Sequence, residues 1–166
     1  MKIISTTVIN FAFLLTKIVC ETSFGPNNRY FPRHSSSFIT KGDFNNDGQL
    51  DVAITNMRDS SASIPPGSGN RIFLQQTVRK IEEYPMYVIA ADFNHDAKPD
   101  LAVANAASDD VSILLGNGTF ATEIMSTSGA SPSTIAIDDF NNDEKWNLAL
   151  VNDEDQSVAI LLNSCS

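Results

Sequence analysis

Carboxylate and amide side chains recur at a fixed spacing in the stretch GDFNNDGQLD. They occupy positions 1, 3, 5 and 9 of a loop, as Asp43, Asn45, Asp47 and Asp51. Gly48 follows at position 6, where a sharp turn favours a residue without a side chain. Oxygen donors in this pattern open the calcium loop of helix–loop–helix proteins. The stretch therefore predicts a site for a hard cation.

The remainder of an EF-hand is missing. That motif needs a bidentate Glu at position 12, and this chain has Ile54 there. The residues that follow the loop, LDVAIT, form a short β-branched run without helical periodicity. The oxygen donors are therefore predicted to lie between strands.

The composition is that of an acidic chain with a core. It has 166 residues, of which 42% are hydrophobic, enough for one domain. Twenty Asp and Glu against 11 Lys and Arg give a net charge of -9. Such a charge argues against nucleic acids and anionic membranes as partners and favours cations.

The first twenty residues, MKIISTTVINFAFLLTKIVC, differ from the rest. Lys2 precedes a short apolar stretch, as in a secretory signal peptide, so residues 1–20 predict secretion. A membrane anchor and an ordinary cytosolic N-terminus are the alternatives, although the stretch is too short and too polar to span a bilayer well. Asn117 begins a glycosylation sequon that suits a secreted chain.

The loop motif returns twice, in ADFNHDAKPDLAVAN and DDFNNDEKWNLALVN. The first loop Asp advances from Asp43 to Asp92 and Asp139, spacings of 49 and 47 residues. Self-similarity at this period indicates a repeat architecture.

The second repeat reads as four short strands. YVIAA precedes the loop, LAVAN follows it, VSILL comes after a polar turn, and TFATEIMSTS follows a GNG hairpin turn. Four strands in 47–49 residues are the content of one propeller blade. The chain is predicted to be all-β, with residues 21–166 forming about three propeller-type blades of four antiparallel strands, around residues 35–80, 85–128 and 132–166.

The other repeats depart from this pattern. Pro65 and Pro66 remove backbone donors, so the third strand of the first repeat must be truncated or bulged there. The third repeat ends at VAILLNSCS without a fourth strand. The segment SFGPNNRY, within residues 22–31, is predicted to supply that outer strand, as in propellers that close one blade from both termini.

The D-F-N-x-D loop followed by an LA-V-N-like strand, present three times, resembles the FG-GAP (VCBS-type) repeat family. That family forms the blades of integrin alpha-subunit propellers and of many secreted lectin-like proteins. FG occurs once, near the N-terminus, and GASP in the third repeat is a near version of GAP. The resemblance implies a propeller fold and bound calcium, but not the family's partners. The chain is predicted to be an extracellular binding or adhesion module whose ligand is a glycan or a protein.

Calcium ligands in such loops are side-chain oxygens at positions 1, 3, 5 and 9 and the main-chain carbonyl at position 7. The resemblance therefore implies up to three Ca²⁺ sites. The first has Asp43, Asn45, Asp47, Asp51 and the Gln49 carbonyl; the second has Asp92, Asn94, Asp96, Asp100 and the Lys98 carbonyl; the third has Asp139, Asn141, Asp143, Asn147 and the Lys145 carbonyl.

The three sites are predicted to differ in strength. The first keeps three carboxylates and a glycine turn. The second has Ala97 in place of glycine, which costs about 1 kcal/mol if the turn needs a positive φ. The third has two carboxylates and Glu144 at that position, and for it Asx turns without metal are an equal alternative. Because the eight loop aspartates repel one another, calcium is expected to stabilise the fold.

Little in the sequence points to catalysis. His34 and His95 are the only histidines, and His95 lies at position 4 of a loop, where it should face solvent. Since no Ser/His/Asp grouping, Cys/His metal set or phosphate loop is evident, the chain is predicted not to be an enzyme. The alternative to a binding module is an accessory domain or fragment of a secreted carbohydrate-active enzyme.

Aromatic residues accompany every loop. Phe44, Phe93 and Phe140 each follow the first loop Asp and are predicted to pack between blades. Trp146 lies at a turn of the third loop, where packing is the first interpretation and stacking on a sugar the second.

Three repeats are fewer than the 4–8 blades of a closed propeller, so apolar blade faces should remain uncovered. A truncated product, an open fragment and an oligomeric ring are the alternatives.

Aligning the repeats places Phe24 on Phe120, and puts Cys20 and Cys165 where the second repeat has its GNG turn. A Cys20–Cys165 disulfide in a head-to-tail homodimer of six blades is predicted, and two unrelated thiols are the alternative.

Overall fold

The computed structural model describes residues 35–70, 72–116, 120 and 123–165. These residues form eleven strands and one 3-10 turn, Met57–Asp59. The strands are β1 (Ser36–Gly42), β2 (Asp51–Asn56), β3 (Ser61–Ile64), β4 (Thr77–Lys80), β5 (Pro85–Ala91), β6 (Asp100–Asn105), β7 (Asp110–Leu114), β8 (Glu123–Thr127), β9 (Pro132–Asp138), β10 (Asn147–Asn152) and β11 (Ser157–Leu161). The predicted all-β class is confirmed.

The strands form three antiparallel sheets, one for each repeat. Blade 1 has the order β1-β2-β3-β4, blade 2 has β5-β6-β7-β8, and blade 3 has β9-β10-β11. Sequential antiparallel neighbours joined by short turns are the arrangement predicted for propeller-type blades. The segment predicted to complete blade 3, residues 22–31, lies outside the described residues, as do the predicted signal peptide, Cys20 and Asn117.

Proline ends the third strand of blade 1. Strand β3 has four residues and stops at Ile64, directly before Pro65 and Pro66, whereas β7 of blade 2 has five. Beyond β3, the described residues form an isolated bridge between Gly67 and Phe73. The predicted truncation is confirmed, because proline has no N–H to donate to the ladder.

The apolar core lies between the sheets. One cluster joins blades 1 and 2 and contains Phe44, Ala53, Ala62, Ile64, Ile81, Val88, Leu101, Val103, Leu114 and Phe120. A second joins blades 2 and 3 and contains Phe93, Ala102, Ala104, Val111, Ile135, Leu148 and Leu150. Every residue of β6 is buried, since blade 2 is covered on both faces.

The loop phenylalanines divide according to whether a blade follows them. Phe44 and Phe93 are buried in the two clusters, which confirms the predicted packing between blades. The same prediction is wrong for Phe140, which is 44% exposed, because no described strand covers the far face of blade 3.

Among the described residues, no helix is long and apolar enough to cross a lipid bilayer.

Candidate metal-binding loops

Each acidic loop joins the first strand of a blade to the second. In the first loop, the N–H of Asp47 donates to Asp43 Oδ1 and to Asn45 Oδ1, both at 3.0 Å. The Gly48 N–H donates to Asp43 Oδ2 at 2.8 Å, and the Gln49 N–H donates to Asp47 Oδ1 at 2.8 Å. The side chains at positions 1, 3 and 5 therefore turn inward, and their oxygens converge on one backbone turn.

The second loop repeats these contacts. The Asp96 N–H donates to Asp92 Oδ1 and Asn94 Oδ1 at 3.1 Å, and the Ala97 N–H donates to Asp92 Oδ2 at 2.8 Å. An exposed ion pair joins Lys98 Nζ to Asp96 Oδ2 at 3.7 Å. The second loop therefore carries one positive charge beside its carboxylates.

The third loop keeps the turn despite its weaker sequence. The N–H groups of Asp143 and Glu144 donate to the two carboxylate oxygens of Asp139, at 3.1 and 2.8 Å. Asn141 Nδ2 donates to Asp143 Oδ2 at 3.0 Å. Three loops of different sequence thus share one backbone conformation.

That conformation needs residues with a left-handed backbone conformation (positive φ) at positions 4 and 6. The φ values at position 6 are 80° for Gly48, 63° for Ala97 and 65° for Glu144. The positive φ anticipated at Ala97 is therefore present. Position 4 was not anticipated: Asn46, His95 and Asn142 have φ values of 60°, 59° and 59°. Asn and His tolerate this region better than most residues, and His95 is exposed, as predicted.

The carboxylate at position 9 is buried and bonds to backbone on two sides. Asp51 accepts the Phe44 N–H at 2.9 Å and the Gly67 N–H at 2.7 Å. Asp100 accepts the N–H of Phe93 at 2.9 Å and of Gly116 at 2.6 Å. This residue therefore ties the loop to the chain that leaves the third strand. Sequence reasoning assigned it only a metal-ligand role, although the glycine after the third strand in ASIPPG and VSILLG was a usable signal.

Blade 3 lacks this tie. Asn147 replaces the aspartate, and its Oδ1 accepts the Phe140 N–H at 2.9 Å. Its Nδ2 is buried without a partner, because an amide nitrogen cannot accept an N–H. Asn163, at the register of Gly116, instead donates its Nδ2 to the Phe93 carbonyl at 2.8 Å. The third loop is thus held less firmly than the other two.

The environments of two loop carboxylates move their pKa values in opposite directions. Burial raises the pKa of Asp100, and Asp96 and Asp92 raise it further, against the lowering effect of the Gly116 and Phe93 N–H groups. At Asp139 desolvation also raises the pKa, but hydrogen bonds from backbone N–H groups of residues 141–144 outweigh it and lower the value. The same turn therefore stabilises an exposed anion in blade 3, whereas the buried anion in blade 2 is disfavoured.

The family model described as FG-GAP-like repeat matches residues 43–103 and again residues 92–150. The matches begin at the first Asp of the first and second loops, and together they cover more than half of the chain. The chain belongs to the FG-GAP-like repeat family. No curated protein and no solved structure shows significant similarity to it.

The chemistry of the oxygen donors in these FG-GAP-like loops shows which metal ion they suit. Among the described residues, no three His, Cys, Asp or Glu side chains gather into a metal-binding group. The loops instead combine aspartates with asparagine and main-chain carbonyl oxygens, and Ca²⁺ accepts all three kinds. A carboxylate has about four lone-pair sites, so the N–H contacts at positions 1 and 5 leave acceptor capacity. The residues fit Ca²⁺, with Asp43, Asn45 and Asp47 brought together and Asp51 deeper in the blade.

Trp146 borders a cavity of about 420 Å³ between blades 2 and 3 of the FG-GAP-like chain. Its side chain is 41% exposed, so it is neither a core residue nor fully in solvent. Phe93, Leu148, Leu161 and Cys165 also line the cavity. The interpretation of Trp146 as a sugar-stacking residue stays a prediction.

Proposed function

We propose that this FG-GAP-like chain is an extracellular binding module whose fold is stabilised by Ca²⁺. The observation that carries the proposal is the convergence of side-chain oxygens at positions 1 and 5 of all three loops, joined by the position-3 oxygen in the first two. Asx turns need one such oxygen each. Three loops that direct several oxygens inward in one register offer the hard donors that Ca²⁺ selects.

Like charge in each loop supports the calcium role. Asp43 and Asp47 of the first loop both bond the same turn, so their carboxylates are held close together in the ion-free protein. A divalent cation removes this repulsion, and an ion that binds only the folded chain raises its stability. Ca²⁺ supplies neutralisation and cross-linking of the loop, and no catalytic step is assigned to it.

The binding role follows from what the sites offer. The loop carboxylates are engaged in turn formation, and no general base is recognised in the sequence, so we assign the chain a non-catalytic role. The exposed indole of Trp146 is suited to stacking on a sugar ring and favours a glycan ligand over a protein one. The signal-like residues 1–20 and the sequon at Asn117 support an extracellular location.

Thermal unfolding with and without Ca²⁺ tests the metal assignment. We expect the melting temperature to rise with Ca²⁺ and to fall with excess chelator, and Mg²⁺ to replace Ca²⁺ poorly because it demands tighter octahedral geometry. Identical melting in Ca²⁺ and in chelator would exclude the calcium role.

A glycan array with the secreted chain tests the ligand class. Trp146→Ala should abolish any glycan signal. Tyr84→Ala should preserve it, because Tyr84 is also an exposed aromatic residue, 46% exposed, but does not line the cavity that Trp146 borders. A signal that both variants retain would exclude Trp146 as the stacking residue. Hydrolysis of polysaccharides by the purified chain would favour the alternative, a fragment of a secreted carbohydrate-active enzyme.

A further inference from the structure

Each blade presents a leading pair, one residue of its first strand and one of its second. The pairs are Ile39–Ile54 in blade 1, Val88–Val103 in blade 2 and Ile135–Leu150 in blade 3. In blades 2 and 3 the preceding blade covers these pairs, and Val88 and Ile135 are 3% and 2% exposed. Ile39 of blade 1 is 62% exposed and lines an apolar cavity of about 320 Å³ with Val52 and Ile54.

The opposite face carries a trailing pair, one residue each of the second and third strands. The pairs are Thr55–Ala62, Ala104–Val111 and Val151–Val158. The first two pairs are fully buried against the next blade. In blade 3 the pair is open, since Val151 is 42% and Val158 is 67% exposed. The described residues therefore present two apolar faces, each built like a face that a neighbouring blade covers elsewhere in the molecule.

The cavity between blades 2 and 3 marks a third missing contact. Between blades 1 and 2, Phe120 fills the space against Phe44, with ring centroids 5.6 Å apart, beside the strand pair Leu101–Leu114. One repeat later the same places hold Phe93 and the strand pair Leu148–Leu161, and these three residues line the 420 Å³ cavity. The cavity therefore lies where a counterpart of Phe120 belongs.

A counterpart exists elsewhere in the sequence. In the SFGPNNRY segment, Ser23-Phe24 aligns with Thr119-Phe120, which precede β8, the fourth strand of blade 2, in the sequence. Strand β11 is an edge strand in the described sheet of blade 3, so its outer backbone groups offer a place for a fourth strand.

We propose that a second copy of this chain covers both end faces, with the open trailing pair of each copy packed on the exposed Ile39 and its apolar cavity in the other. In this head-to-tail ring the SFGPNNRY segment of one copy adds to β11 of the other, and its Phe24 fills the cavity beside Trp146. The contact continues the series of two blade interfaces already present in the chain, and closure of the ring leaves no apolar face open. The inference is independent of the calcium role.

Face variants of the secreted full-length chain test this arrangement by light scattering. Wild type should have twice the mass of one chain. Ile39→Lys and Val158→Lys should each dissociate it, because each places a charge in both interfaces, whereas Tyr84→Lys at an exposed aromatic should not. Mixing the two variants should restore a dimer. The Ile39→Lys chain keeps a wild-type trailing face and the Val158→Lys chain keeps a wild-type leading face, so these two faces can pack together. A wild-type monomer at all accessible concentrations would overturn the proposal, and so would a dimer that neither variant weakens.

Trp146 gives a second readout, because it is the single tryptophan of the chain. Phe24→Ala should shift its emission to longer wavelength, because water then replaces the phenyl ring in the cavity, with circular dichroism unchanged; Tyr84→Ala, at an exposed aromatic outside the cavity, is the control. An unchanged Trp146 would overturn the assignment of Phe24 to the cavity. A change that occurs in a monomer would show that the segment folds back on its own chain, and would overturn the second copy as the occupant.

Discussion

The carboxylate of Asp100 accepts the main-chain N–H of Gly116 at 2.6 Å, across 16 residues of sequence. Asp51 and Gly67 repeat the contact at 2.7 Å in blade 1. Both glycines are required for it, because a Cβ on Gly116 would lie 2.1 Å from the Pro99 carbonyl oxygen, and one on Gly67 would lie 2.1 Å from that of Leu50. The contact fixes the candidate metal loop to the body of the blade.

Gly116→Ala is therefore expected to destabilise the fold strongly. The added methyl group collides with backbone, which cannot move away cheaply, and separates Gly116 from Asp100, so a loss of about 3 kcal/mol in the free energy of unfolding is expected. Gly48→Ala is the control, because nothing lies within 4 Å of its Cβ and only its φ of 80° is unfavourable, at about 1 kcal/mol. Equal losses in urea titrations of the two variants would contradict this account.

Position 6 of the weaker loops should respond in the opposite direction. Ala97 and Glu144 adopt positive φ, so Ala97→Gly and Glu144→Gly relieve strain and should each stabilise the protein by up to about 1 kcal/mol. Ala107→Gly, at an exposed turn residue outside the positive-φ set, should give no gain. Thermal melts of the three variants decide the point, and a gain for Ala107→Gly alone would refute the strain argument.

The sequence predicted local features well. The strands of blade 2, the end of β3 at Pro65 and the positive φ at Ala97 all follow from short-range rules of backbone geometry. The structural role of Asp100 was missed, because its contact with Gly116 depends on how two loops meet in space. The exposure of Phe140 was missed for a related reason: the pattern of one repeat does not state whether a neighbour covers it.

Calcium-dependent stability should depend more on the first loop than on the third. Asp47→Ala removes one of three carboxylates from the loop with a glycine turn, whereas Asp143→Ala alters a loop whose Asn147 already lacks a partner for Nδ2. Loss of one site at 100 Kd of Ca²⁺ removes about 2.7 kcal/mol. Melting with and without Ca²⁺ should therefore give a smaller calcium-induced rise for Asp47→Ala than for Asp143→Ala. A larger effect of Asp143→Ala would reverse the predicted order of the sites.

The pH dependence of the calcium-free protein should contain two opposed contributions. Burial raises the pKa of Asp100 above its ordinary 3.8, so the folded chain keeps this proton where the unfolded chain has lost it. Its contribution to stability is present below pH 3.8 and is lost as the pH rises through the folded pKa.

Asp139 contributes in the other sense. Its pKa is lowered despite desolvation, because N–H groups of residues 141–144 bind the anion. Its stabilisation is present above pH 3.8 and is lost as the pH falls through the folded pKa. Carboxyl chemical shifts followed by NMR between pH 2 and 7, in buffers of about 0.1 M ionic strength, should place the midpoint of Asp100 above that of Asp139. The reverse order would show that burial does not govern Asp100.

The last prediction concerns Cys165, which is exposed, lines the cavity assigned to Phe24 and is anchored by a 2.9 Å bond from its N–H to Asn163 Oδ1. Cys20 precedes Phe24 by four residues, so a segment that seats Phe24 in the cavity brings Cys20 near the cavity mouth. In an oxidising compartment, with cleavage before Cys20, we expect a Cys20–Cys165 disulfide that links the two copies. Non-reducing electrophoresis should show a dimer that reductant converts to monomer and that Cys165→Ser abolishes. A mature N-terminus at Glu21 would rule out the bridge, while the association through the blade faces would still be measured by light scattering.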